Sequence, residues 1–445
     1  MKINLISLGC DKNRVDSEKM LGLLRAAGFS YTDDEYEADI IIVNTCCFID
    51  DAKTESIDTI LEMAEYKEIG NCKYLFVTGC LSERYRDEIL VQFPEVDGYI
   101  GTADLGEILD LISEHISEKE NCPNLSQVRD FSKKQGLRDR VVTTPGHYEF
   151  LKIAEGCSKR CTYCIIPYIR GPYRSFPMEE LLEEAEFLAD SNVTELIIVA
   201  QETSIYGKDL YGRDMLPELL RKLCRIDGFR WIRLLYCYPE DITEELLDVI
   251  ADEPKICNYI DMPIQHASDP ILRRMGRRTN HDDLVNKIRL IRSRIPGIAL
   301  RTSLITGFPG ETEEDHRILK EFVQEMRFER LGVFTYSCEE GTPAAKFPDQ
   351  IDEEIKSARK DELMSIQELI SYENLTGHIG KVFDVVVDGY LPDEDVYVGR
   401  TYMDAPDVDG AFFFRSDRQL MSGDHLNCLV TNVSDYDFYG EIVED

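Results

Sequence analysis

No apolar run in this 445-residue sequence approaches the ~20 residues that a membrane-spanning helix needs. The apolar part of Met1–Cys10 is too short for a signal peptide, and the polar stretch Asp11–Glu18 follows at once, so neither leader nor anchor is expected. Positive charge is the second shortage. Lys+Arg number 50 against 85 Asp+Glu, a formal net charge of −35. Such a field repels phosphate backbones and acidic membrane surfaces and attracts basic partners, although carboxylates in surplus also serve solvation alone. The third thing missing is any need for disulfides. With 43% hydrophobic residues the chain can bury the cores of about three domains, and its 14 cysteines suit a reducing compartment. The expectation is a soluble cytoplasmic protein with no membrane contact and no direct nucleic-acid binding.

What the sequence does have is Glu155-Gly156-Cys157-Ser158-Lys159-Arg160-Cys161-Thr162-Tyr163-Cys164, directly after the strand-like run Phe150–Ala154. Three thiolates on so short a loop reach three irons of one cluster, whereas a structural zinc site normally takes four ligands. A cubane on three cysteines leaves one iron open to a substrate or cofactor. The C-x3-C-x2-C loop resembles the signature of the radical S-adenosylmethionine (SAM) enzymes. The resemblance implies that the open iron is chelated by the amino and carboxylate groups of SAM, and that Tyr163 lies near the adenine. It also implies a low-potential cluster, an external electron donor and release of a 5′-deoxyadenosyl radical.

Residues 1–117 alternate strands (Ile3–Leu8, Asp39–Val43, Tyr74–Thr78, Tyr99–Gly101) with amphipathic stretches (Ser17–Ala27, Ala52–Tyr66, Arg84–Phe93, Leu105–Ile116), the pattern of a doubly wound α/β domain. Cys10, Cys46 and Cys80 each follow the carboxyl end of a strand, where open α/β sheets bind ligands. Seventy residues of chain thus predict a second three-cysteine cluster, with Gly9 and Gly79 letting backbone approach it. Cys47 stands beside Cys46, and either could be the ligand. Cys72, Cys122, Cys224, Cys237, Cys257, Cys338 and Cys428 lack ligand spacing and read as structural.

Residues 118–147 read as a linker, with a basic excess from Lys119 to Arg140. From 148 to 375 six further strand–helix units follow, enough for an open partial (β/α)6 barrel but not a closed eight-stranded one. Polar residues gather after its strands: Gln201-Glu202, Gln265-His266 and Thr306-Gly307. Glu202 is a candidate to hold the SAM amino group, with Gln201 beside it, while His266 reads as structural. Thr312 with Asp315 reads as a capping pair. Residues 376–445 carry five short alternating strands, a small OB-like closed barrel. From 377 onward it holds 4 Lys+Arg and 15 Asp+Glu, so the basic groove of an RNA-binding barrel is missing.

The combination resembles the methylthiotransferase family over essentially the whole chain, with a terminal TRAM domain. The motifs are Cys10 followed by Lys12-Asn13 and Asp16-Ser17-Glu18, Asn44-Thr45-Cys46, Gly79-Cys80-Leu81, Cys157/Cys161/Cys164, Asp261–His266, Thr306–Glu311 and Glu340-Gly341-Thr342. The family carries the ligand role to Cys46. Within it, His147–Cys157 and Arg400–Gly410 resemble the branch that modifies an aspartate of small-subunit ribosomal protein S-twelve. That implies two [4Fe-4S] clusters, SAM, and a radical route to an sp3 β-carbon that no side-chain base deprotonates at neutral pH. It implies as well that the open faces of the two clusters confront each other across one cavity. Two other readings stand: a tRNA adenosine methylthiotransferase, told apart by mass spectrometry of tRNA and of the ribosomal protein, and a two-cluster electron carrier or scaffold, told apart by whether SAM is cleaved.

Overall fold

The structure, a computed structural model, describes residues 1–102, 106–116 and 140–443. The connection expected at 118–147 lies outside the described residues up to 139. Two compact units result. One comprises Met1–Thr143, Phe150–Lys159 and Cys164–Phe187, the other Thr144–Glu149, Arg160–Tyr163 and Leu188–Asp445.

The first unit contains a parallel sheet of β1 (Lys2–Ser7), β2 (Ser30–Tyr31), β3 (Ile40–Thr45), β4 (Tyr74–Gly79) and β5 (Gly98–Tyr99), in the order β2-β1-β3-β4-β5. The run Ile40–Val43 is apolar without interruption because both of its faces are covered. Ile41 and Val43 pack with Ile60 and Met63 of helix Asp50–Ile69. Ile40 and Ile42 face the other way, onto Met20, Leu24, Ile108 and Ile112. The doubly wound arrangement follows from that alternation. Strand order reverses between β1 and β3, and a sheet of this kind opens a crevice at such a reversal, beyond the carboxyl ends.

Two helices differ from expectation. The first spans Asp11–Ala26, beginning six residues before the expected Ser17, because its opening turns bury mainly polar side chains (Lys12, Asn13, Asp16), with Val15 the one apolar residue among them. The helix expected over Arg84–Phe93 is two, Cys80–Tyr85 and Asp87–Gln92, broken at Arg86 with φ 43°.

After the connection come β6 (Tyr148–Lys152), β7 (Ala154–Glu155) and β8 (Arg174–Ser175), the last two antiparallel with Ala154 opposite Ser175. The second unit's parallel sheet comprises β9 (Glu195–Val199), β10 (Trp231–Leu234), β11 (Ile256–Asp261), β12 (Ala299–Thr306) and β13 (Arg330–Thr335), ordered β13-β12-β11-β10-β9 with β6 at the β9 end. It is an open sheet of six. Helix Glu313–Met326 starts at a capping box of Thr312 and Asp315, as the sequence predicts. Strands β14 (Val382–Leu391), β15 (Val396–Arg400), β16 (Phe412–Arg415), β17 (His425–Val433) and β18 (Phe438–Ile442) close a small barrel whose interior takes Phe412, Phe414 and Phe438.

The loop from β15 to β16 turns its charges inward, onto the amino-terminal part of the open sheet. Arg400 donates to Glu195 (2.8 Å), which Arg233 also reaches (2.7 Å). Arg330 grips Asp404, and Asp409 accepts from Tyr259 (2.7 Å) and pairs with Arg301 (3.3 Å). With that edge sealed, the carboxyl edge is left for chemistry. Glu195→Ala leaves two buried guanidinium groups without their shared carboxylate. The expected loss is about 3–5 kcal/mol in urea unfolding, against a smaller one for Glu195→Gln.

Candidate functional site

Cys10, Cys46 and Cys80 follow β1, β3 and β4, three strands adjacent in the sheet. Gly9, at φ +84°, lies so close to Cys46 that a Cβ there would stand 2.6 Å from Cys46 Cβ and 2.8 Å from its Sγ. Gly79, at φ +95°, backs onto the Thr45 carbonyl and the Asn44 side chain in the same way. Asn13 clamps the strand ends by donating to Leu8 O (2.9 Å) and Thr45 O (3.0 Å). Ser56 Oγ binds both the N–H and the carbonyl of Cys46. Cys47 is fully buried in the apolar layer with Ile41, Val43 and Ile60, and its carbonyl accepts from Arg84 (3.2 Å). Burial pushes the Cys80 thiol up to about 12; Arg170 opposes that, while Cys10 and then Cys46 add to it more than Cys47 does.

Does this donor set suit an iron–sulfur core? None of the described cysteines is in a disulfide, and no trio of His, Cys, Asp or Glu among the described residues closes on a single metal ion. Three thiols at one sheet edge, with glycine backbone at Gly9 and Gly79 beside them, would suit a body that engages each thiolate through a separate iron.

Behind the cysteines lies a buried ion network that the sequence reading missed. Arg170 Nη1 meets Asp16 (2.9 Å) and Glu155 (3.1 Å); Nη2 meets Asn13 Oδ1 and Cys80 Sγ (3.6 Å). Lys152 binds the same two carboxylates, Glu155 at 2.8 Å. Despite its burial, Glu155 is held down to about 2 by Lys152 and Arg170. The next residue of the chain, Gly171, accepts the Cys157 N–H (3.1 Å). The dipeptide Arg170-Gly171 therefore touches the Cys80 sulfur and the first cysteine of the C-x3-C-x2-C loop together.

That loop leaves β7 at Gly156, whose φ of +76° and position against the Gly171 and Pro172 carbonyls exclude any side chain. Cys157 and Cys164 belong to the first unit and Cys161 to the second, where Thr162 N donates to Met275 O (2.9 Å) and accepts through its carbonyl from Ala344 N (2.9 Å). The Tyr163 ring meets Phe308 edge-on at 6.4 Å. Phe308 sits in the turn Gly307–Gly310, which Glu311 holds by accepting the N–H groups of Gly307 (2.6 Å) and Phe308 (3.1 Å).

Along the carboxyl edge of the second unit, Glu202 is fully buried after β9, with Gln201 beside it. Thr203 ties this end to β10 by donating to Leu235 O (2.6 Å) and Tyr236 O (3.0 Å). His266 Nδ1 accepts from Ser268 N–H (2.9 Å), and burial pulls its pKa to about 3. Another group missed from sequence is Arg277. It is buried, stacks 4.5 Å over the Tyr238 ring and donates from Nη2 to Pro263 O (2.8 Å). Nε and Nη1 have no hydrogen-bond partner among the described residues. Burial works against its charge, and Tyr163, Tyr238, Cys161 and Glu240 outweigh that and raise its pKa. In sequence Gly276-Arg277-Arg278 looks like a solvated basic patch, and only burial separates Arg277 from its neighbour.

Three family descriptions match the chain: Uncharacterized protein family UPF0004 over residues 2–101, Radical SAM superfamily over 151–323 and TRAM domain over 379–443. A "Ribosomal protein uS12 methylthiotransferase RimO" of Lachnoclostridium phytofermentans is 59% identical over 99% of both chains. The protein of the same description from Acetivibrio thermocellus is 49% identical, over 100% of this chain and 99% of its own. Among solved structures, the radical S-adenosylmethionine methyltransferase TsrM from Kitasatospora setae, with cobalamin and a [4Fe-4S] cluster bound, superposes with a TM-score of 0.55. At 17% identity, covering 77% of this chain and 76% of that one, it speaks for the fold alone.

Proposed function

The chain belongs to the ribosomal protein uS12 methylthiotransferase family, and from that premise we propose that it transfers a methylthio group to the β-carbon of an aspartate of uS12. The observation that carries the reading furthest is the contact of one dipeptide, Arg170-Gly171, with both cysteine sets.

Cys157, Cys161 and Cys164 would hold one [4Fe-4S] cluster and Cys10, Cys46 and Cys80 the other. When bound, the clusters and SAM supply hydrogen-atom abstraction and the sulfur and methyl of the new group. The chain's own residues bind and orient. Glu202 offers a carboxylate to the SAM amino group with Gln201 beside it, and Tyr163 offers a ring to the adenine. Arg277 brings two nitrogens, Nε and Nη1, that have no hydrogen-bond partner among the described residues, to a carboxylate. Asn13 and Ser56 hold the strand ends that present Cys10 and Cys46, and Gly156 lets the other loop close.

The division of labour follows the sequence: 1–117 around the auxiliary cluster, 148–375 around SAM, 376–445 toward the substrate. The acidic final barrel suits a basic ribosomal protein better than an RNA backbone. The described residues include no helix long and apolar enough to cross a membrane, and we place the reaction in the cytoplasm with an external low-potential electron donor.

Mass spectrometry of uS12 and of tRNA from a strain lacking this enzyme tests the reading. A missing methylthio group on the uS12 aspartate supports it; loss on tRNA alone sinks it. A narrower test concerns Arg277. Arg277→Gln is expected to raise the Kd for SAM about 10–100-fold, with Arg277→Lys between, in equilibrium dialysis of reconstituted protein.

A further inference from the structure

We propose that Arg170 sets the reduction potential of the iron–sulfur centre on Cys10, Cys46 and Cys80 through the N–H it donates to the Cys80 sulfur. The inference rests on the reading that those three cysteines hold such a centre.

Arg170 ends the short helix Ile166–Ile169, six residues beyond Cys164, and its side chain is 1% exposed. A structural role would be to neutralise Asp16 and Glu155, but Lys152 already contacts both. What Arg170 alone supplies is the Nη2 side of its fork. That side meets Asn13, the clamp between the ends of β1 and β3, and the Cys80 sulfur at 3.6 Å. The planar fork is held on Asp16, Glu155, Asn13 and Cys80 at once, and a guanidinium stays protonated at any working pH. It is thus a fixed cation among the thiols.

A sulfur bound to iron gains negative charge when its cluster is reduced. An N–H aimed at that sulfur from a fixed guanidinium stabilises the reduced state more than the oxidised one, so the potential rises. Water cannot replace the contact, because the Arg170 side chain and Cys80 are both buried. Nη1 carries the same cation to Glu155, two residues before Cys157.

The test uses the full chain with Cys157, Cys161 and Cys164 changed to Ala, reconstituted without oxygen so that only the centre in question is present. Iron and sulfide are quantified and the potential is read by EPR-monitored titration. With Arg170→Gln the centre should stay at about four irons and titrate at a more negative potential. Arg170→Lys, which keeps the charge without the planar fork, should fall between. Lys67→Gln, which breaks a pair with Asp97 at the amino end of β4, should shift nothing. The neutral double variant Asp16→Asn/Arg170→Gln guards against loss of the fold through an uncompensated carboxylate, and should shift as Arg170→Gln does. A measurement on the parent needs no change at Arg170: with 15N-arginine, pulsed EPR of the reduced centre should show a nitrogen coupling that Arg170→Lys removes. An unchanged potential in iron-loaded Arg170 variants, or no such coupling in the parent, overturns the proposal. A parent that binds no iron overturns the cluster reading itself, and this inference with it.

Discussion

Replacing Cys46 by Ala is expected to remove about four of about eight irons per chain, while Cys47→Ala removes none. The two thiols are neighbours in sequence, yet the pleat sends them to different surroundings. Cys46 Sγ lies against Gly9, next to Cys10, with its backbone pinned on both sides by Ser56. Cys47 is part of the apolar layer between β3 and helix Asp50–Ile69, where a thiol packs as a small hydrophobe. Truncating it should cost about 1 kcal/mol of stability, within the range for removing a small buried group. Anaerobic iron and sulfide quantification separates the variants. An activity assay adds a second axis: Cys46→Ala should lose methylthio transfer by more than about 1,000-fold and still cleave SAM to 5′-deoxyadenosine, because the other cluster is intact. If Cys47→Ala proved the iron-poor variant, the placement of the auxiliary site would be wrong.

The place of Cys10, Cys46 and Cys80 past the ends of three strands is legible in the sequence, for a physical reason. Parallel strands buried on both faces appear as apolar runs, unbroken in Ile40–Val43 and Tyr74–Val77 and interrupted only by Asn4 in β1, so the ends of β1, β3 and β4 were visible, and a cysteine just past each end stood out. The final barrel showed itself by alternation, and the open sheet of six by its strand count. What stayed hidden was buried charge. Periodicity counts apolar residues, so a helix turn that buries Lys12, Asn13 and Asp16 looks like a surface loop, and the start at Asp11 was missed. Arg170 and Arg277 looked like any exposed arginine. Their roles come from partners more than a hundred residues away in sequence in both cases: Asp16 and Asn13 for Arg170, the cysteine loop for Arg277. The two-residue strand β2 is below what a period-2 pattern can register, β5 meets the expected Tyr99–Gly101 only at Tyr99, and the break at Arg86 carries no glycine or proline to mark it.

Gly156→Ala should be the most damaging single-methyl change in the cysteine loop. Two costs have to be separated. A left-handed backbone costs an L-residue roughly 1–2 kcal/mol by itself. Gly212 measures that cost alone, since it sits at φ +73° with nothing within 4 Å of a new Cβ. At Gly156 the φ is similar, +76°, but the Cβ would stand 2.6 Å from the Gly171 carbonyl oxygen and closer still to that of Pro172. Those atoms are backbone and have no rotamer to retreat into. The only relief is to open the closure between Gly156 and the Gly171-Pro172 turn, which also breaks the Cys157 N–H to Gly171 O bond and moves Cys157 off its position. Gly212→Ala should therefore lose about 1–2 kcal/mol in urea unfolding and keep both clusters. Gly156→Ala should keep only the irons of the auxiliary site, about four, and lose SAM cleavage by more than about 100-fold. A Gly156→Ala enzyme with full iron and normal 5′-deoxyadenosine formation would show that the loop holds its cluster without that closure.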